Sequence, residues 1–215
     1  MKSENYFCSA RFMKINRDVL LLFSALILFF AYWFWFIRIV HKPNDLERIS
    51  SLPSFSMINA HTGKPLGKAD LLGKVWIAGF IFTRCSGPCP LISLNMSRLQ
   101  KQLPPGIFLV TFTVDPDWDT PEVLAQYSKN FQADSNQWFF LTGAKKEIYD
   151  LLYEGFKLPI LEEPKNKPEF RITHTTKLAL VDQEGMIRGF YDGTDPGSLK
   201  KVKKDVLIIL EEKRL

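Results

Sequence analysis

Residues 82–90 read FTRCSGPCP, with cysteines at positions 85 and 89. The run just before them, VWIAGFIF (75–82), is apolar throughout and rich in branched and aromatic residues, which predicts a central strand covered on both faces. The residues just after them place Leu91, Leu94 and Leu99 at near-helical spacing, and Pro90 suits the first turn of a helix. We therefore expect both cysteines in a loop that leads from a buried strand into the start of a helix.

The alternation of strands and helices continues along the chain. Further strands are predicted at 107–114, 138–141, 177–181 and 186–191, and further helices from Thr120 toward Phe131, over 144–155 and from Ser198 onward. Residues 55–58 followed by the turn 61–64 predict a hairpin, whereas 158–170 are typical of an irregular loop. This order predicts an α/β domain over residues 54–215, with a central mixed sheet flanked by helices. A cysteine pair at the start of the first long crossover is the placement found in thioredoxin-like folds.

Residues 19–37 read VLLLFSALILFFAYWFWFI, without a charge or a proline. As a helix this segment would be about 28 Å long, close to the roughly 30 Å hydrocarbon core of a bilayer. We therefore expect one membrane-spanning anchor, with residues 1–18 in the cytoplasm and 38–53 as a linker. Four basic residues precede the segment and two follow it, which favours a domain outside the cytoplasm. The basic residues are Lys2, Arg11, Lys14 and Arg17 before it, and Arg38 and Lys42 after it.

Two other interpretations of this segment compete. A cleaved signal peptide normally has a shorter apolar core and a small-residue cleavage site, whereas this segment ends in Trp, Phe and Ile and continues as RIVHKPND. A buried core helix would need partners all around. The lack of a long Arg/Ser-rich leader favours a bacterial plasma membrane over an imported mitochondrial precursor, and Cys8 would then lie on the inner side as an ordinary thiol.

The charge distribution argues against nucleic-acid binding. The 215 residues have a formal net charge of +5, but residues 1–45 alone contribute six basic and three acidic groups. The remaining 170 residues carry 22 basic and 20 acidic groups, so the domain has almost no excess charge for a phosphate backbone. Three cysteines are also too few for a disulfide-stapled scaffold.

The spacing of Cys85 and Cys89 is suited to chemistry that uses two thiols. Side chains four residues apart on helical turns lie about 5–6 Å apart, and the amides at a helix N-terminus stabilise a thiolate. We therefore expect thiol pKa values below the free value of about 8.5. Such a pair can close a disulfide or bind a soft metal ion, above all Cu(I). The alternative is two buried apolar cysteines that never meet.

A third group would separate metal chemistry from redox chemistry. Of the three histidines, His41 and His61 are each expected to be solvated polar residues. His174 lies in RITHTT (171–176), just before a predicted strand, where a thioredoxin-like sheet faces the start of the cysteine helix. Read alone it fits a hydrogen-bonded loop residue, but two sulfurs and one imidazole can hold both Cu(I) and Cu(II).

Three segments resemble the Sco/SenC proteins, which deliver copper during cytochrome c oxidase assembly. They are FTRCSGPCP (82–90), FTVDPDWDTPEVL (112–124) and ITHTTKLALVDQEGMIRGFYDG (172–193). The resemblance implies copper as the bound metal and Cys85, Cys89 and His174 as its ligands. Asp115 matches the VDP stretch and is expected to support the site by hydrogen bonding, whereas Asp119 fits a strand end and helix cap. Relatives usually carry Arg where this chain has Trp118, and the spacer Ser-Gly-Pro also differs from many members.

The resemblance further implies a set of partners. They are the binuclear copper site of cytochrome c oxidase subunit II, a copper donor and a thioredoxin-like reductant. Some members are proposed to reduce disulfides, so a thiol–disulfide oxidoreductase that acts outside the cytoplasm without copper transfer remains the alternative, with the two cysteines as its redox pair. Peroxide reduction on the same fold would leave His174 unexplained, and a purely structural anchor would leave the dithiol idle.

Overall fold

The computed structural model describes residues 17–40, 46–158 and 175–212. The chain divides into two compact units, residues 1–43 and 44–215. In the first unit, helix α1 (Arg17–Val40) covers the predicted apolar segment, and its large apolar side chains from Leu21 to Phe36 are exposed. Across the described ranges, no helix combines the length and the apolar character needed to cross a membrane.

The second unit is built on one mixed sheet of eight strands in the order β1-β8-β7-β4-β5-β6-β2-β3. The strands are β1 (Ser50–Ser51), β2 (Ser56–Asn59), β3 (Pro65–Gly67), β4 (Val75–Ile81), β5 (Ile107–Thr113), β6 (Trp138–Thr142), β7 (Lys177–Val181) and β8 (Met186–Asp192). The helices are α2 (Lys68–Leu71), α3 (Cys89–Gln102), α4 (Pro121–Lys129), α5 (Lys145–Asp150) with a following π-helical turn (Leu151–Gly155), and α6 (Pro196–Glu212). The predicted α/β class, the mixed sheet and the hairpin are confirmed.

The centre of the sheet consists of three parallel strands. β4 pairs with β5 and β5 with β6, while β7 adds to the other side of β4 in the antiparallel sense. All seven residues of β4 are buried, as a strand covered on both faces requires. Because β4 and β5 are parallel, their carboxyl ends meet at one edge, and this edge leads into the loop with the two cysteines.

Aromatic side chains fill one side of this centre. The Phe80 ring stacks on Phe112 at 5.8 Å between centroids and meets Phe156 edge-on at 4.9 Å. Such contacts add about 0.5–1.5 kcal/mol per pair to the burial of the rings. Trp138, which is fully buried on β6, donates its indole N–H to Thr111 Oγ1 over 2.8 Å, so its polar atom is satisfied inside the core.

Of the three leucines that mark helix α3 in the sequence, only one packs on the sheet. Leu99 is buried, but Leu91 and Leu94 are 43% and 42% exposed. The helix turns Ile92 and Met96 inward instead, because positions 92, 96 and 99 follow the i, i+4, i+7 pattern of one helical face. The spacing of the three leucines predicts the helix correctly, but it does not identify the buried face.

Other predicted boundaries shift by a few residues. Helix α4 ends at Lys129 rather than near Phe131, and α6 begins at Pro196, two residues earlier than expected. The predicted helix over 144–155 is divided between α5 and the π-helical turn. Of the predicted loop 158–170, only Leu158 is described, and its side chain is buried.

A buried cation joins three segments at the end of the sheet away from the cysteine loop. Arg188 on β8 is almost fully buried, and its guanidinium donates to Asp182 (3.0 Å) and to Glu212 at the end of α6 (2.9 Å). It also donates to the carbonyls of Leu46 and Glu47, where the described domain begins. Such a buried charge stabilises the fold only when all its partners are present, because the loss of one partner leaves another buried charge uncompensated.

We expect Arg188→Ala to lower the free energy of unfolding by about 3–5 kcal/mol, because it leaves a buried carboxylate without its counter-charge. The matched control is Arg48→Ala, since the Arg48–Glu184 pair is at least half exposed on both sides and its loss should have little effect. The measurement is denaturant unfolding of the full chain in detergent, followed by tryptophan fluorescence. Equal midpoints for the two variants would contradict the role given to Arg188.

Candidate metal centre

The two cysteines of the sequence motif come together at the carboxyl edge of β4. Cys85 lies in the loop after the strand, and Cys89 is the first residue of α3. Their exposed fractions are 7% and 3%, both are in the thiol state, and the two thiols hydrogen-bond with each other. The alternative of two cysteines that never meet is thereby excluded.

The local sequence explains this geometry. The Cys85 amide donates to the carbonyl of Phe82 over 3.2 Å, which closes a tight turn directly after the strand. Pro88 precedes α3 and Pro90 lies within its first turn, where a missing N–H costs no helical hydrogen bond. The chain therefore turns and enters the helix within four residues, so both sulfurs lie on the same side of the loop.

Burial sets the protonation of Cys89. Burial, followed by the hydrogen bond with Cys85, raises the pKa of the Cys89 thiol to about 12, although a backbone hydrogen bond with Phe82 acts in the opposite direction. The prediction of a lowered pKa was therefore wrong for Cys89, because desolvation outweighs the favourable field of the helix N-terminus. At neutral pH the Cys89 thiol keeps its proton until a metal ion or a disulfide replaces it.

Asp119 fixes the strand ends that carry the cysteine loop. Its carboxylate is fully buried and accepts hydrogen bonds from the Thr83 amide (3.1 Å), the Thr83 hydroxyl and the Thr113 hydroxyl. Burial raises the pKa of Asp119, and the bonds from Thr113 and Thr83 oppose that rise. The carboxylate thus joins the end of β4 to the end of β5, two residues before Cys85.

The sequence assigned Asp119 to a strand end and helix cap, and this was incomplete. The cap of α4 is Thr120, whose hydroxyl accepts from the Val123 amide over 3.4 Å. The signal that could have revealed Asp119 is the threonine at the end of each of two predicted parallel strands, Thr83 and Thr113. Hydroxyl donors at adjacent strand ends need a shared acceptor once they are buried.

Asp115 acts on the residue that precedes Cys85. Its buried carboxylate pairs with Arg84 Nε at 2.7 Å, and the Arg84 guanidinium lies over the ring of Trp118 at 5.1 Å. Arg84 and Trp118 are both more than half exposed, so this stacked pair forms the surface next to the loop. Asp115 and Asp119 therefore hold Arg84 and Thr83, the two residues just before the first cysteine.

A tyrosine closes another side of the site. Tyr127 on α4 shares a 2.9 Å hydrogen bond with Ser93, one helical turn after Cys89. Burial is the main cause that raises the pKa of Tyr127 to about 12; the hydrogen bond with Ser93 opposes this rise, and negative charge on the two cysteines adds to it. The phenol of Tyr127 is therefore uncharged at neutral pH and adds no charge next to the thiols.

Of the three histidines, only His61 lies within the described residues, and its surroundings differ from the prediction. His174 and His41 lie outside the described residues, as does Cys8. Within 17–40, 46–158 and 175–212, no three His, Cys, Asp or Glu side chains form a group able to hold a metal ion. His61 is half-buried rather than solvated: it meets Phe140 edge-on, burial lowers its pKa, and its Nε2 has no hydrogen-bond partner among the described residues.

We expect Asp119→Ala to destabilise the domain by about 2–4 kcal/mol, since the buried Thr113 hydroxyl and the two half-buried donors of Thr83 lose one charged acceptor. It should also speed alkylation of Cys85 and Cys89 by iodoacetamide, because the loop loses its attachment to β5. The control is Asp117→Ala, two residues before Asp119, which removes an exposed carboxylate that is paired with Lys145. Unchanged alkylation in Asp119→Ala, measured by mass spectrometry of the full chain, would show that the carboxylate does not hold the loop.

Comparison with known proteins gives consistent matches. The SCO1/SenC family matches residues 44–207. The SCO1 protein homolog of Bacillus subtilis is 32% identical over 148 residues, which cover 67% of this chain and 75% of the relative. A protein of Stutzerimonas stutzeri whose name describes it as copper-binding is 30% identical, with 67% and 70% covered.

Solved structures agree with these matches. A SCO1/SenC family lipoprotein from Bacillus anthracis has a TM-score of 0.67 at 32% identity and covers 79% of this chain and 98% of its own. BsSco, described as a member of the Sco family of cytochrome c oxidase assembly proteins with a disulfide switch, has a TM-score of 0.62 at 29% identity and covers 77% and 94%. With a thioredoxin-like sheet and a paired dithiol in place, the match over residues 44–207 shows that this chain belongs to the SCO1/SenC family.

Proposed function

We propose that this protein carries copper on Cys85, Cys89 and His174 and delivers it to the binuclear copper site of cytochrome c oxidase subunit II. The observation that carries the proposal is the pair of buried, hydrogen-bonded thiols at the start of α3. The family membership supports it, as do the copper-binding name of one relative and the assembly role of another.

The donor set suits copper that must be handed on. Thiolates are soft ligands that select Cu(I), and two of them leave a position open for an incoming ligand. Since burial raises the pKa of Cys89, copper must displace a proton from this thiol, and the same proton favours release when copper leaves.

The proposal for His174 rests on the residues that follow it. The carbonyl of Thr176 accepts from the Gly193 amide (2.7 Å), and the carbonyl of Gly193 accepts from the Asn95 side chain on α3 (2.8 Å). The chain therefore passes beside the second turn of α3 two residues after His174. Two residues span at most about 7 Å, a length that leaves the imidazole within reach of the cysteine loop.

The same proposal includes the membrane and the partners. From the charge-free apolar sequence of residues 19–37, the proposal includes a single-pass anchor in a bacterial plasma membrane, with the N-terminus in the cytoplasm and the domain outside it. The exposed apolar side chains of α1 and the name lipoprotein given to one relative support a protein held at a membrane. A copper donor would load the site, and a thioredoxin-like reductant would keep the two thiols reduced outside the cytoplasm.

The second candidate function is thiol–disulfide exchange without copper transfer. It is favoured by the contact of two reduced thiols, a geometry from which a disulfide can close, and by the disulfide switch described for BsSco. In that case one of the two thiols would attack a partner disulfide and the other would resolve the mixed disulfide, so that two thiols become one disulfide while the partner gains two thiols.

We expect the reduced full chain to bind one copper ion. His174→Ala should weaken the binding of Cu(II) by more than about tenfold, because even the loss of a residue that only supports a metal ligand costs about that much. The binding of Cu(I) should change little, because Cu(I) stays on the two sulfurs. The measurement is copper titration followed by the sulfur-to-copper absorption for Cu(II) and by competition with a chelator for Cu(I). His61→Ala is the matched control, since His61 lies in the β2–β3 turn away from the thiols.

An unchanged Cu(II) spectrum in His174→Ala would contradict the ligand assignment. The rival function has its own readout, the reduction of an oxidised subunit II fragment by the chain. Efficient reduction by His174→Ala, together with no copper transfer by the wild type, would favour the oxidoreductase.

A further inference from the structure

Helices α3 and α6 together form a strongly basic surface. We call it the basic face; its cations are Arg98 and Lys101 on α3 and Lys200, Lys201, Lys203 and Lys204 on α6. Five of the six are exposed and Lys203 is half-buried. Within the described residues none of them is in an ion pair.

The acidic residues of α6 do not balance these cations. Asp205 is buried and accepts from the Tyr191 hydroxyl over 2.7 Å, and Glu212 is bound to Arg188, which leaves Glu211 as the exposed acidic side chain of this helix. Beyond residue 45 the sequence has 22 basic and 20 acidic groups, and six of the 22 lie on this face. Three of the 20 acidic groups lie on α6 and none on α3, so these two helices carry six cations against three acids. The other 16 cations are matched by 17 acids in the rest of the domain, so a nearly neutral domain has one positive side.

The two helices lie side by side and run in the same direction. Asn95, in the middle of α3, donates to the carbonyl of Gly193, just before α6 begins. Farther along, Lys203 Nζ on α6 donates to Gln102 Oε1 at the end of α3 over 2.7 Å. The cations of both helices therefore belong to one continuous surface rather than to two separate ones.

The basic face is continuous with the dithiol. Positions 91, 94, 98 and 101 follow the spacing of one helical side, so Leu91 and Leu94 continue the line of Arg98 and Lys101 toward Cys89. Both leucines are more than two-fifths exposed, and Leu91 comes two residues after Cys89. A partner lying along α3 would thus touch apolar side chains next to the thiols and cations farther away.

We propose that the basic face docks the acidic polypeptide that exchanges copper with Cys85 and Cys89. This inference rests on the proposed function and adds to it the chemistry of the partner: carboxylates opposite the six cations and an apolar segment opposite Leu91 and Leu94. The complementary charges set the rate and the salt dependence of the encounter, while the leucines exclude water next to the thiols.

An anionic lipid surface is the other occupant with suitable charge, and the geometry disfavours it. Since the line of exposed residues starts beside Cys89, a bilayer lying on this face would cover the thiols. Those thiols must meet the ligands of another protein in either candidate function. An acidic protein segment meets the same cations and brings its own ligands to Cys85 and Cys89.

The test compares Lys200→Glu/Lys204→Glu with the control Lys64→Glu/Lys146→Glu, which changes the net charge equally on the β2–β3 turn and on α5. The probes are two labelled helical peptides that contain a Cys-x-x-x-Cys pair: one carries glutamates and leucines, and the other has glutamine at every glutamate. Affinity is measured by fluorescence anisotropy with serine forms of both peptides, with and without copper. Cu(I) transfer from the full chain in detergent is measured with the cysteine forms.

We expect the basic-face variant to bind the acidic peptide, and to transfer Cu(I) to it, about tenfold or more weakly at roughly 0.02 M salt. That difference should vanish near about 0.5 M salt, where charges are screened over a few ångström. The glutamine peptide and the control variant should show no such loss. Equal loss in both variants, or none in either, would overturn the proposal.

The same experiment also distinguishes a lipid-binding face, and a failure of the proposed function, from a failure of this proposal. Loss of binding to phosphatidylglycerol vesicles with unchanged peptide affinity would overturn the proposal in favour of a lipid surface. Failure of the wild type to bind copper would remove the proposed function, whereas the anisotropy measured without copper still decides whether the face docks an acidic polypeptide.

Discussion

The buried carboxylate of Asp119 is the interaction on which the site depends. A polar loop between a central strand and a helix would ordinarily be mobile, but here the residues just before Cys85 are bound to a neighbouring strand. Thr83 closes β4, Thr113 closes β5, and both hydroxyls donate to the same carboxylate. The carboxylate lies in a dry environment where each of these bonds is strong and where the loss of any partner is costly. The position of the cysteine loop is therefore fixed by the parallel pairing of the two strands.

This arrangement explains how the site can combine a rigid loop with a poorly ionised thiol. Burial that orders the loop also removes water from Cys89 and raises its pKa. A site intended for fast nucleophilic attack at neutral pH would need the opposite shift. In the proposed carrier, a soft metal ion displaces the proton by forming a strong bond to sulfur. The cost of this displacement eases the release of copper, and the same burial slows nonspecific thiol chemistry. The raised pKa of Cys89 thus supports the proposed metal carrier over the oxidoreductase.

The sequence predicts the parts of this protein that depend on local pattern. The run at 75–82 is buried as expected, Thr120 caps α4, and the Cys85–Cys89 pair forms where the strand meets the helix. What depends on three-dimensional packing was not predictable. The leucine spacing in α3 fits either face of the helix, and only the position of β4 and β5 selects Ile92 and Met96. Likewise, the pKa of Cys89 follows from its desolvation, and the role of Asp119 follows from two strand ends that are 30 residues apart in the chain.

The placement of Arg188 bears on how the domain would be presented to a partner. β7 is antiparallel to β4, with Val181 opposite Trp76, so the turn that contains Asp182 lies near the start of β4. The dithiol lies past the other end of β4, and seven residues of strand separate the two ends by about 20 Å or more. Arg188 binds the carbonyls of Leu46 and Glu47 at the Asp182 end, which means that the chain enters the domain on the side away from the thiols. A partner can therefore reach the cysteine edge without displacing the segment at 46–47.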